Sequence, residues 1–203
     1  MNKKKPANPI KDREKVLDIQ DFLKVRNERD CVLFATGIGT GYRAGDLVKL
    51  KVRDIKTALE NGYFEIMEGK KLNSKSIRKE NMKPRTVKVI DNIEVLLKKY
   101  IKNKRDYEYL FLSRKGKNEH ITVSRVSVIL KEAGEEFGLK NISAHSMRKT
   151  YAYKIYVESG YDITLVKEML GHSSIEETKR YLGLDRETYD KFSDTLNKLI
   201  RIT

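Results

Sequence analysis

The sequence predicts an α+β domain that is mostly α-helical and carries one small antiparallel β-sheet. Three observations predict it. Apolar residues recur at helical spacing through most of the 203 residues. Strand-like runs are confined to residues 52–90, where an Asn-Gly pair marks a turn. Glycines and serines stand where one helical pattern stops and the next begins.

Residues 1–9 read as a flexible basic arm. Residues 12–25 predict a first helix, with Val16, Ile19, Phe22 and Leu23 on one face. Residues 28–39 predict a second, more apolar helix through Val32, Leu33 and Phe34, weakened at its end by Gly37, Gly39 and Gly41. A short helix over 44–50 follows. Val52-Arg53-Asp54-Ile55 and Tyr63-Phe64-Glu65-Ile66-Met67 read as strands, with Asn61-Gly62 as the turn before the second. A third strand, 85–90, comes after Pro84. Helices are expected over 91–102, 122–137, 143–158, 162–170, 174–182 and 186–200. The domain plan is therefore the arm, a core domain over 10–185, and a C-terminal helix over 186–203. That helix has an apolar stripe of Tyr189, Phe192, Leu196 and Ile200, which either closes its own core or docks on a neighbouring copy.

The charge balance is +14, from 43 Lys plus Arg against 29 Asp plus Glu, which fits a polyanionic partner with nucleic acid foremost. A soluble lysine-rich protein would show the same balance. No apolar run approaches the ~20 residues that span a bilayer. The start, Met1-Asn2-Lys3-Lys4-Lys5-Pro6, leads into no apolar h-region, so no signal peptide and no membrane role is expected. The single cysteine, Cys31, lies in an apolar helical stretch and reads as core, which fits a reducing, cytoplasmic setting.

Five residues stand out in order along the chain: Arg43, His145, Arg148, His172 and Tyr181. Arg43 lies at a turn behind Gly41, where a guanidinium can reach out of the core, with Asp46 placed to orient it or to cap the short helix. His145 and Arg148 are three apart and share a helix face, with Ser143 as the expected N-cap. A helix N-terminus there also favours an anion. Gly171 suits a C-terminal cap, and Ser173 or Ser174 with Glu176 or Glu177 makes a capping box, so His172 is held at a helix junction. Tyr181 comes nine residues after His172, two turns into the next helix, and Gly183 allows a bend behind it. Tyr151, Tyr153 and Tyr156 read as packing residues, and Tyr189, which follows the bend, is the chief rival to Tyr181 as a reactive tyrosine. His120 lies in a polar run and reads as loop or structural.

These residue types describe one chemistry. Two guanidinium groups clamp phosphate oxygens through planar forks that never deprotonate. Imidazoles move protons, and a phenol supplies a nucleophile. The three histidines show no paired ligand spacing with a cysteine, so a metal-free mechanism is expected.

The stretches Thr40-Gly41-Tyr42-Arg43-Ala44-Gly45-Asp46-Leu47, His145-Ser146-Met147-Arg148 and Leu170-Gly171-His172-Ser173-Ser174, followed by Arg180-Tyr181, resemble a tyrosine recombinase (phage-integrase) catalytic domain. The resemblance runs from about Pro9 to Tyr189. It implies a site-specific DNA recombinase that breaks and rejoins DNA through a 3′-phosphotyrosine link. By the resemblance Tyr181 is the nucleophile, Arg43 and Arg148 clamp the phosphate, and His145 and His172 assist. A hairpin lysine protonates the leaving 5′-oxygen: Lys71 is chosen, with Lys70, Lys75 and Lys83 left open because the segment from Leu72 to Met82 is long. The resemblance also implies double-stranded DNA as partner, a homo-tetramer on DNA, a monomer when free, no cofactor, and residence with the nucleoid. The chain starts 42 residues ahead of Arg43, which the resemblance reads as either a minimal recombinase or a catalytic fragment. A DNA-binding protein of this fold without turnover, and a topoisomerase-like relaxer, are the other two classes.

Overall fold

The computed structural model describes residues 6–67 and 84–184, with three isolated positions at 193, 197 and 199. The chain divides into two compact units, Met1–Lys154 and Ile155–Thr203.

In the first unit, helix ends are set by single polar side chains. Helix α1 (Arg13–Arg26) starts where Asp12 accepts the Glu14 N–H, and it buries Ile19 and Leu23. Asn27 then does two jobs. Its own N–H closes α1 on the Leu23 carbonyl, and its side chain caps α2 (Glu28–Thr40) through the Arg29 N–H. Helix α2 is buried without a break from Cys31 to Gly37, as a helix enclosed by its unit should be. A Cβ at Gly37 would lie 2.5 Å from Met147 Sδ, so only glycine lets that side chain come so close. Gly41 ends α2 in the left-handed region (φ 63°), with its N–H on the Gly37 carbonyl.

The short helix α3 (Ala44–Leu47) follows, and then the expectations need one correction. Val52 to Ile55 is not a strand. It opens helix α4 (Val52–Asn61), whose buried residues Val52, Ile55 and Ala58 fall every third position. Extended backbone does occur just before it, as a bridge between Lys51 and Tyr109. It stops at Lys51, whose N–H donates to Asp54 Oδ2 at 2.8 Å and turns the chain into helix. Among the described residues the sheet accordingly has two strands, not three. β1 (Tyr63–Ile66) and β2 (Arg85–Lys88) pair antiparallel, with Tyr63 opposite Lys88 and Ile66 opposite Arg85. Phe64 and Ile66 on β1, and Arg85 and Val87 on β2, are the buried positions.

Helices α5 (Asp91–Ile101) and α6 (Val123–Glu136) add Ile93, Leu97, Val126 and Leu130 to the core, and Thr122 caps α6 through the Arg125 N–H. Helix α7 (Ala144–Glu158) presents Ala144, Met147 and Tyr151 to it. The expected basic arm is tied down at its described end. Asn8 bonds the backbone of Asn141 and Lys140, and the Ile10 N–H donates to Thr150 Oγ1 at 2.8 Å. Cys31 is core, as expected, and burial raises the pKa of its thiol.

In the second unit, α8 (Ile163–Leu170) is capped by Asp162, which accepts from both Thr164 and Leu165 N–H groups. Gly171 (φ 65°) ends α8, and Gly183 (φ 74°) ends α9 (Ile175–Leu182). Among the described residues no helix is long and apolar enough to cross a membrane. The expected helix over 186–200 lies outside the described residues apart from positions 193, 197 and 199.

Candidate active site

Arg43 is the extended residue that starts α3, two positions after the left-handed Gly41, and it is half-buried. Arg148 lies in the first half of α7 and is 2% exposed. Its Nη1 donates to the Gly41 carbonyl at 2.6 Å. The sequence thus places two arginines 105 positions apart, and the fold ties one of them to the turn that carries the other. A buried guanidinium is costly unless it is hydrogen-bonded. Here the acceptor belongs to the C-terminal end of α2, where unpaired carbonyls concentrate partial negative charge.

His145 is exposed, one turn before Arg148 on the same helix face. At the start of α7 the capping runs opposite to the expected direction. Ser146 Oγ accepts the Ser143 N–H at 3.0 Å, and Ser127 Oγ accepts the Ala144 N–H at 3.3 Å.

A third arginine, not among the five residues picked out along the sequence, is buried here. Arg85 stands in β2 on the inward face with Val87 and is 8% exposed. Its Nη2 donates to the Thr40 carbonyl at 3.1 Å and to the Gly41 carbonyl at 3.3 Å. Burial first, and then the neighbouring charge of Arg148, bring its pKa down to about 10. The Tyr151 hydroxyl lies beside it, and that phenol is raised by burial. A signal was available: in Arg85-Thr86-Val87-Lys88-Val89 the arginine alternates in phase with two valines, so it occupies a core position.

In the second unit, His172 and Tyr181 come together. His172 is 7% exposed at the junction between α8 and α9. Its ring meets the half-buried Tyr181 ring edge-on, with centroids 5.2 Å apart. His172 Nδ1 lies 3.0 Å from Thr178 Oγ1. The Thr178 hydroxyl donates its one proton to the Ser174 carbonyl at 3.3 Å. With that proton on the Ser174 carbonyl, the Thr178 oxygen is free to accept from Nδ1, the arrangement that leaves Nε2 as the basic nitrogen of a neutral ring. The expected capping box is present in altered form. Ser174 Oγ accepts the Glu177 N–H, while Glu177 reaches back to Ser173 through both its N–H and its hydroxyl.

His120 is structural, as read: it joins an isolated bridge with Leu112, lies near the Ile121 carbonyl through Nδ1, and packs edge-on against Tyr109. Lys71, the alternatives Lys70, Lys75 and Lys83, and the rival Tyr189 lie outside the described residues.

The sequence profile of the phage integrase family matches residues 12–188. The chain belongs to the phage integrase family of tyrosine recombinases. Among tyrosine recombinases and their relatives, it is 30% identical over 184 residues to the probable integrase/recombinase YoeC of Bacillus subtilis, covering 90% of this chain and 92% of that protein. It is 30% identical over 170 residues to the tyrosine recombinase XerA of Pyrococcus furiosus, covering 83% of this chain but 54% of that protein. Crystal structures agree on the fold. A XerA recombinase superimposes with a TM-score of 0.66 at 20% identity, over 98% of this chain and 68% of that one. XerH, in a post-cleavage complex with a palindromic difH substrate, superimposes at 0.62 and 25% identity, over 95% of this chain and 53% of that one. The chain therefore spans nearly all of the Bacillus relative and about half to two thirds of the Xer recombinases it matches.

Proposed function

We propose that this tyrosine recombinase is a site-specific DNA strand transferase in which Tyr181 is the nucleophile. The observation that supports this most is the bond between Arg148 and the Gly41 carbonyl, because it holds two guanidinium-bearing segments in one arrangement. Arg43 and Arg148 bind the non-bridging oxygens of one DNA phosphate and stabilise the extra charge of the pentavalent state. The Tyr181 oxygen attacks phosphorus and loses its proton to a basic nitrogen. The P–O5′ bond breaks, a 3′-phosphotyrosine forms, and the 5′-oxygen takes a proton from a general acid, Lys71 in this reading. Attack by a 5′-hydroxyl of another strand reverses each step, so the bond energy is kept and no cofactor takes part. His145, exposed on α7, hydrogen-bonds the phosphate; His172 offers Nε2 beside the nucleophile.

The partner is double-stranded DNA, and strand exchange between two sites calls for a homo-tetramer on DNA. The relative XerH has been captured on a palindromic difH substrate after cleavage, which supports DNA as the substrate class. Incubation with a nicked suicide duplex tests the reading. A protein–DNA adduct that survives denaturation and carries the DNA 3′-end on a tyrosine is expected. DNA binding with no such adduct would reduce the protein to a binder. Plasmid relaxation without recombinant products would make it a relaxing enzyme.

A further inference from the structure

The strand transfer proposed above names two arginines, but the fold buries a third beside them. Arg85 Nη2 bridges the Thr40 and Gly41 carbonyls, and Arg148 Nη1 bonds the same Gly41 carbonyl. Two like charges are thus gathered on one oxygen inside the core of the first unit. An apolar residue would serve packing better at an inward strand position between Ile66 and Val87. The ring of Tyr151 closes the other side of Gly41, where an added Cβ would meet Cδ1 at 2.5 Å. The turn that delivers Arg43 is therefore held from three directions by Arg85, Arg148 and Tyr151.

We propose that Arg85 is a positioning residue for the phosphate clamp: it fixes the Gly41 carbonyl and through it the planes in which Arg148 and Arg43 present their guanidinium groups. Arg85 itself acts through those neighbours and not on the DNA. One of the five donors of Arg148 is committed to an oxygen that Arg85 holds still. Misplacement of a clamping group by ~1 Å can cost ~10²-fold in rate. The groups around Arg85 are Arg148 and Tyr151 from α7 and Tyr42 from the turn itself. With a pKa of about 10 it is a cation at neutral pH, so the carbonyls see a charged donor.

The inference rests on the strand-transferase reading, and the test separates the two. On the full chain, the rate of adduct formation at saturating suicide duplex is measured for Arg85→Gln, Arg148→Ala and the double variant, with DNA affinity and the folded fraction measured alongside. Arg85→Gln is expected to slow the adduct step ~30-fold or more per folded molecule while affinity stays within ~3-fold. It should add little in the Arg148→Ala background, because the two act as one unit. Arg85→Lys, which keeps a cation near both carbonyls, should recover most of the rate at pH 7. That variant also decides the matter if Arg85→Gln does not fold. Its ammonium, lowered by the same burial and by Arg148, should lose that recovery as pH rises toward 9. A normal rate for Arg85→Gln, full additivity with Arg148→Ala, or no difference between Lys and Gln at position 85 would overturn the proposal. Nitrogen-15 NMR of the Arg148 side chain gives a readout that needs no DNA. Restricted guanidinium rotation is expected in the parent protein and averaged signals in Arg85→Gln. Unchanged Arg148 signals would end the positioning role even if the parent forms adducts. Absence of any adduct from the parent would instead strike at the strand-transferase reading.

Discussion

The two units hold the side chains proposed for strand transfer by opposite means. In the first, Arg148 and Arg85 are buried charges fastened to main-chain carbonyls at the end of the most enclosed helix, α2. In the second, Tyr181 sits on an eight-residue helix whose one buried member is Thr178 and whose order depends on the Ser174 cap and the Gly183 stop. The difference matches the work proposed for each. Groups that stabilise charge gain from being immobile. A nucleophile that must leave the phosphate and return gains from a shorter, locally stabilised support.

The largest expected effect breaks the comparison on the second side. Tyr181→Phe keeps the ring against His172 and removes one hydroxyl, so adduct formation should fall at least ~10³-fold with unfolding temperature nearly unchanged. A normal adduct yield, read on a denaturing gel, would move the nucleophile to Tyr189. Gly41→Ala strikes the first side. Its left-handed backbone (φ 63°) and the Tyr151 ring 2.5 Å from the new Cβ should together cost about 2–4 kcal/mol in denaturant unfolding. The adduct rate of the remaining folded protein should drop ~10²-fold. Thr178→Val keeps shape but removes the hydroxyl 3.0 Å from His172 Nδ1. The adduct step should slow ~10-fold and the His172 tautomers should mix in NMR, with DNA affinity intact. Smallest is Ser174→Ala, about 1 kcal/mol in helix stability, seen as faster amide exchange over α9. If this cap change slowed the adduct step as much as Gly41→Ala, the contrast between units would be mistaken.

Much of this was legible in the sequence because helix ends are written locally. Asp12, Thr122, Asp162, Ser174, Gly171 and Gly41 each announce a cap through their own chemistry, and each stands where a helix starts or stops. Val52 to Ile55 reads as a strand because Val-x-x-Ile over four residues fits both a strand and a helix, and the capping contact between Asp54 and Lys51 is hidden in a charged run. The pairing of His145 with Arg148 on one face followed from spacing alone. The bond from Arg148 to Gly41 could not, since it joins residues 107 positions apart. Arg85 is obscure for a related reason: an arginine at the start of a strand reads as surface, and only the valines in phase with it mark the position as core.

Gly41 also restricts how this protein can change over generations. A replacement there must satisfy two unrelated demands, a left-handed backbone and the absence of a side chain under Tyr151. Trimming Tyr151 would meet the second and leave the first untouched, while also taking the hydroxyl from beside Arg85. An asparagine would ease the first and worsen the second. No single codon change answers both, at a residue whose carbonyl two arginines share. Drift should therefore reach the surface of α1 and α6 freely and arrive at this turn last.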